Sequence, residues 1–358
     1  MGLTSELRDY RLKLASPLKT AHGEVTHRNG VLFSMSDGFH TGWGEAAPLP
    51  GWSRESLGDC RKALGFVAGR LGRLEGVDDP RVAETLKELE ARPCVRAAVL
   101  GALLDLAAKG DGVTVASLLS NQFAAAPKAK LLRSVSVNGL ISDGEPSGVA
   151  AAAEDLVGGG ISAIKLKVAA ADPQTDVARV SAARSAIGDD VDLRLDANGG
   201  WDVDTAVSTL REMADFNVAF CEEPTTGIEQ IAAVGASGVA PVAVDESAGN
   251  LGEIAAALRT NTIKVVIVKP QALGGSDFAM AATALAEDFG ATAVVTTMID
   301  SAVGVAHAAH LAVAALPLEV HGLATSTLLV DDVGPRITLK RGRLHLPQTP
   351  GLGVSPVV

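Results

Sequence analysis

Between Leu131 and Gly322 the chain alternates short runs rich in β-branched residues with alanine-rich amphipathic stretches at nearly constant separation. This repetition narrows the fold more than any other feature, because strands joined through helices must run parallel and be covered on both faces. The predicted strands are residues 133–137, 162–168, 191–196, 218–222, 241–245, 263–269, 293–297 and 318–321. Eight strands with seven intervening helices close a (β/α)7β barrel of the TIM type. The rival is an open doubly wound α/β sheet, and the lack of a G-x-G-x-x-G fingerprint favours closure.

On either side of the barrel the pattern changes. Residues 1–125 read as an α+β capping domain: an extended opening at 7–14, an apolar run at 31–35, strands punctuated by Gly38, Gly42 and Gly44, and helices near 55–71, 81–90 and 94–108. The Ala/Pro/Lys-rich segment 123–130 reads as a linker, which puts the barrel at 126–322. The tail, 323–358, holds Pro335, Gly342, Pro347, Pro350 and Gly351, so it supplies no further long helix and is expected to return to the capping domain.

Composition excludes several classes of function. The 31 Lys and Arg against 42 Asp and Glu leave a net charge of −11 with no basic stripe, so neither nucleic acid nor membrane is an expected partner. Cys60, Cys94 and Cys221 form no C-x-x-C pair, and Glu6, Arg8, Asp9, Arg11 and Lys13 stand where a secretory signal needs an apolar run. A reducing cytoplasm is the expected compartment. The stretch 301–318 carries no charged side chain, but Gly304, His307, His310 and Pro317 mark it as a buried helix and not a membrane span.

The charged residues that do appear in the barrel fall in a pattern. Lys165 and Lys167, Asp196, Glu222, Asp245 and Lys269 lie at or near the C-terminal ends of successive predicted strands. The intervals are 29, 26, 23 and 24 residues from Lys167 to Asp196, Glu222, Asp245 and Lys269 in turn. Strand periodicity sends Lys165 and Lys167 to one face, so all six converge at the mouth where barrel enzymes carry their chemistry. Three carboxylates there make a hard oxygen site suited to Mg²⁺, with Mn²⁺ as a substitute. Lysines on either side supply a base for proton abstraction next to a carboxylate, and the metal can stabilise the resulting enediolate. Solvated charges or structural salt bridges would explain any one of these residues, but not all six in this order and register.

With those residues in place, the chain resembles the enolase superfamily and, within it, the muconate-lactonising branch. The matching motifs are KLK at Lys165 to Lys167, LDAN at Leu195 to Asn198, EEP at Glu222 to Pro224, VDES at Val244 to Ser247 and VKP at Val268 to Pro270. The resemblance implies Mg²⁺ on Asp196, Glu222 and Asp245, with Lys167 and Lys269 flanking the substrate and Lys165 supporting Lys167.

Finer segments, GEAAPLPGWSRESL from Gly44, LRLDANGGW from Leu193 and HGLATSTLLVDDV from His321, are similar to those of the o-succinylbenzoate synthase family. That similarity implies a cytoplasmic lyase of menaquinone biosynthesis that dehydrates a small carboxylate. N-succinylamino acid racemisation is the alternative, because the same lysine pair permits it. A non-catalytic acid-binding barrel is the reading of another class, usually marked by a lost lysine or carboxylate. Dipeptide epimerases of the branch usually carry an Asp-x-Asp pair at the last strand, and here Ala324, Thr325 and Ser326 follow Leu323. Expected substrate contacts are Lys19, Arg194, Asn198, Thr297 and Ser301. Ser301 or Asp300 is also a candidate N-cap of the helix after the seventh strand, whose N-terminus would favour a substrate carboxylate. The oligomeric state is left open.

Overall fold

The computed structural model describes residues 2–20, 23–72, 74, 76–123, 131–170, 172–316 and 318–357. All of the expected linker except Phe123 lies outside the described residues.

The N-terminal part is an antiparallel sheet with helices on it. β1 (Thr4–Thr20) pairs with β2 (Gly23–Ser36), which pairs in turn with β3 (Thr41–Ala46). α1 (Leu57–Leu71), α2 (Pro80–Glu88), α3 (Pro93–Gly110) and α4 (Val115–Phe123) follow. Ser56 and Asp79 cap α1 and α2 through their side-chain oxygens. The sequence did not announce α4, a short apolar segment whose period is hard to read.

Two glycines explain how this cap closes. Strand periodicity puts Gly42 and Gly44 on the face of β3 that meets α3. A Cβ at Gly44 would lie 1.8 Å from the Ala98 carbonyl oxygen, and one at Gly42 would lie 2.0 Å from that of Ala102. Only backbone fits between strand and helix there. Of the alternate residues, Glu45 reaches the barrel through its carboxylate and Trp43 through its carbonyl. α3 is buried nearly all round, which suits a helix held between the cap sheet and the barrel.

The barrel strands are β4 (Ser134–Val137), β5 (Gly139–Ile141), β6 (Ala163–Lys167), β7 (Asp192–Asp196), β8 (Val218–Glu222), β9 (Val242–Val244), β10 (Ile263–Val268), β11 (Thr292–Val295) and β12 (Val320–His321). Between them lie α5 (Pro146–Gly158), α6 (Pro173–Ile187), α7 (Val203–Glu212), α8 (Ile228–Ala236), α9 (Leu251–Arg259), the short α10 (Pro270–Leu273), α11 (Ser276–Asp288) and α12 (Ala302–Ala315). Strands β5 to β11 pair in parallel, each with the next. β12 meets β11 through the Thr296–Gly322 bridge and pairs in parallel with β4. The first expected strand is β4, and an unexpected second segment, β5, follows it across Asn138, whose N–H donates to the His321 carbonyl as the ring closes. Phe220, Ala243, Val265, Ile267 and Val294 fill the interior below the mouth.

The tail touches both bodies. Leu329 bridges to Leu14 of β1, while β13 (Thr338–Lys340) and β14 (Arg343–His345) form a hairpin that pairs antiparallel with β4. Further on, Gly351 bridges to Thr114.

α12 is buried along almost its whole length, and no helix of the described residues is long and apolar enough to cross a membrane. Its histidines are packed, as the sequence suggested. His307 Nε2 donates to the Trp43 carbonyl at 2.8 Å. His310 Nδ1 accepts from the Ala116 N–H and its Nε2 donates to the Leu352 carbonyl, both at 3.1 Å. Just beyond α12, His321 accepts from the Val295 N–H and donates to the Leu316 carbonyl. Each ring that accepts from a backbone N–H has no room for a second proton, and burial pushes His310 and His321 down to about 4.

Two expectations follow from this packing. Gly44→Ala destabilises the protein by about 3 kcal/mol in urea unfolding, whereas Gly65→Ala, whose Cβ meets nothing within 4 Å, gains up to about 1 kcal/mol. For the histidines, the unfolded chain takes up protons near 6.5 and the folded chain only near 4. Their stabilising effect is therefore full above pH 6.5 and is lost as pH falls toward 4. Over that window the native protein should lose about 3 kcal/mol more than His310→Gln does, measured by urea unfolding at a series of pH values; parallel pH curves would refute this.

Candidate active site

Parallel pairing sets the site. Lys167 is in register with Asp196, and Asp196 with Glu222. Asp245 and Lys269 are the residues just after β9 and β10. The six side chains expected to converge meet at the mouth in two groups of contacts, Lys167, Asp196, Lys165 and Glu222 in one and Asp245 with Lys269 in the other. Lys165 Nζ lies 2.6 Å from Asp196 Oδ2 and 2.7 Å from Glu222 Oε1. Lys167 Nζ donates to Asp196 Oδ2 at 2.7 Å and to Asn198 Oδ1 at 2.5 Å. Lys269 Nζ donates to Asp245 Oδ2 at 2.6 Å. The carboxylates are buried, and of the lysines Lys167 is the most exposed at 24%, with Lys165 at 18% and Lys269 at 11%.

The electrostatics follow from that crowding. Burial alone would raise Asp196, but the Lys165 and Lys167 ammoniums outweigh it and hold the carboxyl far below the ordinary range. Burial alone would likewise lower Lys165, yet Asp196, Glu222 and Asp245 keep it strongly protonated. Glu222 is pushed up to about 8 by burial and by the neighbouring charge of Asp196. A carboxylate so raised by like charges marks a place where more positive charge would be stabilising. Among the described residues no group of three or more acidic, His or Cys side chains is already drawn together to grip an ion, because ammoniums occupy the space between the carboxylates. The donor set is three hard oxygen groups, and it fits Mg²⁺.

Supporting residues fix these groups. Glu223 turns away from the cluster and accepts from the Asp245 and Ser247 N–H groups and from the Ser247 hydroxyl. Arg179 donates to the Lys167 carbonyl at 3.0 Å. Ala169, Asn198, Glu223 and Ile299 all have left-handed backbone, at φ 65°, 44°, 42° and 60°. Each follows the C-terminal end of a barrel strand, so part of the chain's conformational strain lies at the mouth.

The other expected contacts divide. Asn198 and Thr297 line the cavity of about 2290 Å³ between cap and mouth; Asn198 also donates to Glu246 at 2.8 Å, and Thr297 shares a 2.7 Å hydrogen bond with Thr325. Arg194 also lines this cavity, from deeper in the barrel, with its guanidinium over the Phe220 ring and donating to the Val320 carbonyl. The side chain of Lys19 lies outside the described residues. Ser301 caps α12 but does not line the cavity. Its N–H donates to Glu45 Oε1 at 2.9 Å, its hydroxyl donates to Glu45 Oε2, and the Gly304 N–H donates to Oε2 at 2.8 Å. The helix N-terminus expected to receive a substrate carboxylate thus already holds one of the chain's own, which has the same attraction to those amides.

Comparison with known proteins agrees with this geometry. Residues 148–357, more than half of the chain, match the family described as "Enolase C-terminal domain-like". The chain belongs to the enolase superfamily. In this superfamily member residues 4–73 also match "MenC, N-terminal domain". Its relatives include a D-Ala-D/L-Ala epimerase from Cytophaga hutchinsonii, 28% identical over 98% of this chain and 94% of that one. A solved structure of a dipeptide epimerase from the same organism, complexed with Mg and a dipeptide, superposes with a TM-score of 0.88 at 27% identity, covering 100% and 96% of the two chains. An o-succinylbenzoate synthase from Thermobifida fusca is 38% identical, over 51% of this chain and 57% of that one. An N-succinylamino acid racemase from Amycolatopsis is 26% identical over 98% and 94%. With such relatives the chain is an enzyme of the muconate-lactonising branch.

Sequence reading of this enolase-superfamily chain missed the cap's share of the site. Trp52 stacks on Lys269, with Nζ 3.9 Å from the ring centroid. Arg28, fully buried, donates to the Ala47, Pro48 and Ile299 carbonyls. No periodicity links residue 28 or 52 to the barrel, and Trp52 was visible only as part of a cap motif.

The fit to a divalent ion is open to direct measurement. MgCl₂ should raise the thermal midpoint of the native protein and leave that of Glu222→Gln nearly unmoved. Without Mg²⁺, the Gln variant should be at least as stable as native, since burial and Asp196 already disfavour a charge at this position; a retained Mg²⁺ shift would count against Glu222 as a ligand.

Proposed function

We propose that this chain is an o-succinylbenzoate synthase, acting on 2-succinyl-6-hydroxy-2,4-cyclohexadiene-1-carboxylate by removal of water. The observation that carries this reading is the cavity wall beyond the last barrel strand. Ala324, Thr325, Thr327 and Leu328, with Thr297, offer methyl groups and hydroxyls there and no carboxylate. A substrate bearing an ammonium finds no counter-charge on that wall, whereas the terminal carboxylate of a succinyl arm can accept hydrogen bonds from its hydroxyls. The higher identity to a synthase over the half of the chain it covers supports the same reading.

In this proposal Asp196, Glu222 and Asp245 hold Mg²⁺, which when bound supplies charge compensation for the substrate carboxylate. Lys167, in its neutral form, takes the proton on the carbon bearing that carboxylate, and Asn198 and Asp196 fix its Nζ. The electron pair left behind moves into the ring as the C–O bond breaks, and the departing hydroxide takes the proton back from Lys167, so that one water leaves. Lys165 keeps Asp196 ionised and holds both Asp196 and Glu222 in place. Lys269 stabilises the negative charge that develops in the transition state. A second reading, N-succinylamino acid racemisation, is favoured by the presence of Lys269 as a second lysine at the mouth, able to exchange a proton from another side.

The test is a spectrophotometric dehydration assay with Mg²⁺ and with EDTA, beside polarimetry on N-succinylamino acids. Mg²⁺-dependent dehydration should fall by about a thousandfold in Lys167→Ala. Loss of optical rotation without dehydration would move the function to the racemase and keep the same site.

A further inference from the structure

We propose that Trp52 of the cap is a positioning residue for Lys269: it holds the ammonium against the indole face and so makes the two lysine sides of the site unequal. The proposal rests on the reading above in one respect, that Lys269 faces the substrate. Lys269 Nζ is gripped from two directions, by Asp245 Oδ2 at 2.6 Å and by the Trp52 ring at 3.9 Å from its centroid. An ammonium has three N–H bonds. The carboxylate takes one and the ring face attracts another, which leaves one for the cavity. Lys167 is held differently, by the polar atoms of Asp196 and Asn198, and among the described residues no aromatic ring covers it.

The ring is fixed where it lies, because its loop is fastened to the barrel on both sides of Lys269. The turn closes on itself, with the Trp52 and Ser53 N–H groups donating to the Leu49 carbonyl and the Leu49 N–H to Ser53 Oγ. The Ala47 N–H donates to Gln271 Oε1 at 2.5 Å, two residues past Lys269. Ser53 Oγ donates to Met298 Sδ at 3.7 Å, beyond β11. Arg28 joins the Ala47 and Pro48 carbonyls to that of Ile299. A substrate entering from the cap side therefore meets a lysine whose direction the cap has already set.

The experiment compares Mg²⁺-loaded native protein with Trp52→Phe and Trp52→Leu, and Trp52→Met replaces the Leu variant if that one does not fold. The first readout needs no substrate: reductive methylation with limiting formaldehyde, with the labelling of Lys167 and Lys269 quantified by mass spectrometry. Labelling of Lys269 should rise about threefold to tenfold in the non-aromatic variant, stay near native in Trp52→Phe, and leave Lys167 unchanged in both. No rise, or an equal rise at both lysines, overturns the proposal. The second readout is exchange of the α-proton of each N-succinylamino acid enantiomer in deuterium oxide. The non-aromatic variant should lose exchange for one enantiomer only, with recovery in Trp52→Phe; equal loss for both also overturns it. Native protein that neither dehydrates nor exchanges would refute the proposed reaction, and the methylation pattern would still decide the role of Trp52.

Discussion

The structure turns on a short chain of opposite charges buried at the barrel mouth, running from Lys167 through Asp196, Lys165 and Glu222, with Lys269 and Asp245 as a second pair. Charges taken out of water need partners at hydrogen-bond distance, and the partners here come from different strands. A slip of one residue in any of these strands would turn its charged group toward the helices. The register of the parallel sheet, Lys167 against Asp196 against Glu222, is therefore tied to the chemistry as closely as to the packing. Left-handed residues at the strand ends and the hydrogen bonds of Glu223 and Arg179 to the backbone beside Asp245 and Lys167 show how much of the surrounding structure serves to hold that alignment.

The cap is joined to this mouth by polar contacts as well as by apolar area. Glu45 reaches from β3 to the N-terminus of α12, where it also accepts from the Tyr10 hydroxyl at 2.5 Å. Arg28 spends its donors on carbonyls of the cap loop and of the segment after β11. Between them lies Asp300, buried, with Oδ1 unpartnered, and pushed up to about 8 by burial and by the charge of Glu45. The segment carrying Thr297 and Met298 is thus held by the N-terminal domain. The close approach of Gly42 and Gly44 to α3 packs the sheet of that domain tightly on its own central helix. A change in the cap can accordingly act on the site without touching any residue at the mouth.

What the sequence determined by itself was the part governed by short periods. Alternating apolar runs specified parallel strands and helices. A strand period of two, repeated once per βα unit, placed Lys165, Lys167, Asp196, Glu222, Asp245 and Lys269 on one rim, because that relation needs only local geometry and constant spacing. Tertiary structure alone decided the rest. A second segment, β5, follows the first barrel strand across Asn138, whose N–H donates to the His321 carbonyl as the ring closes. The N-terminus of α12 receives Glu45, 256 residues away in sequence, where local reading could supply only a substrate. Trp52 comes to lie on Lys269 because two fastened loops bring it there. Contacts of that kind depend on how two separately folded surfaces meet, and no period in the chain records it.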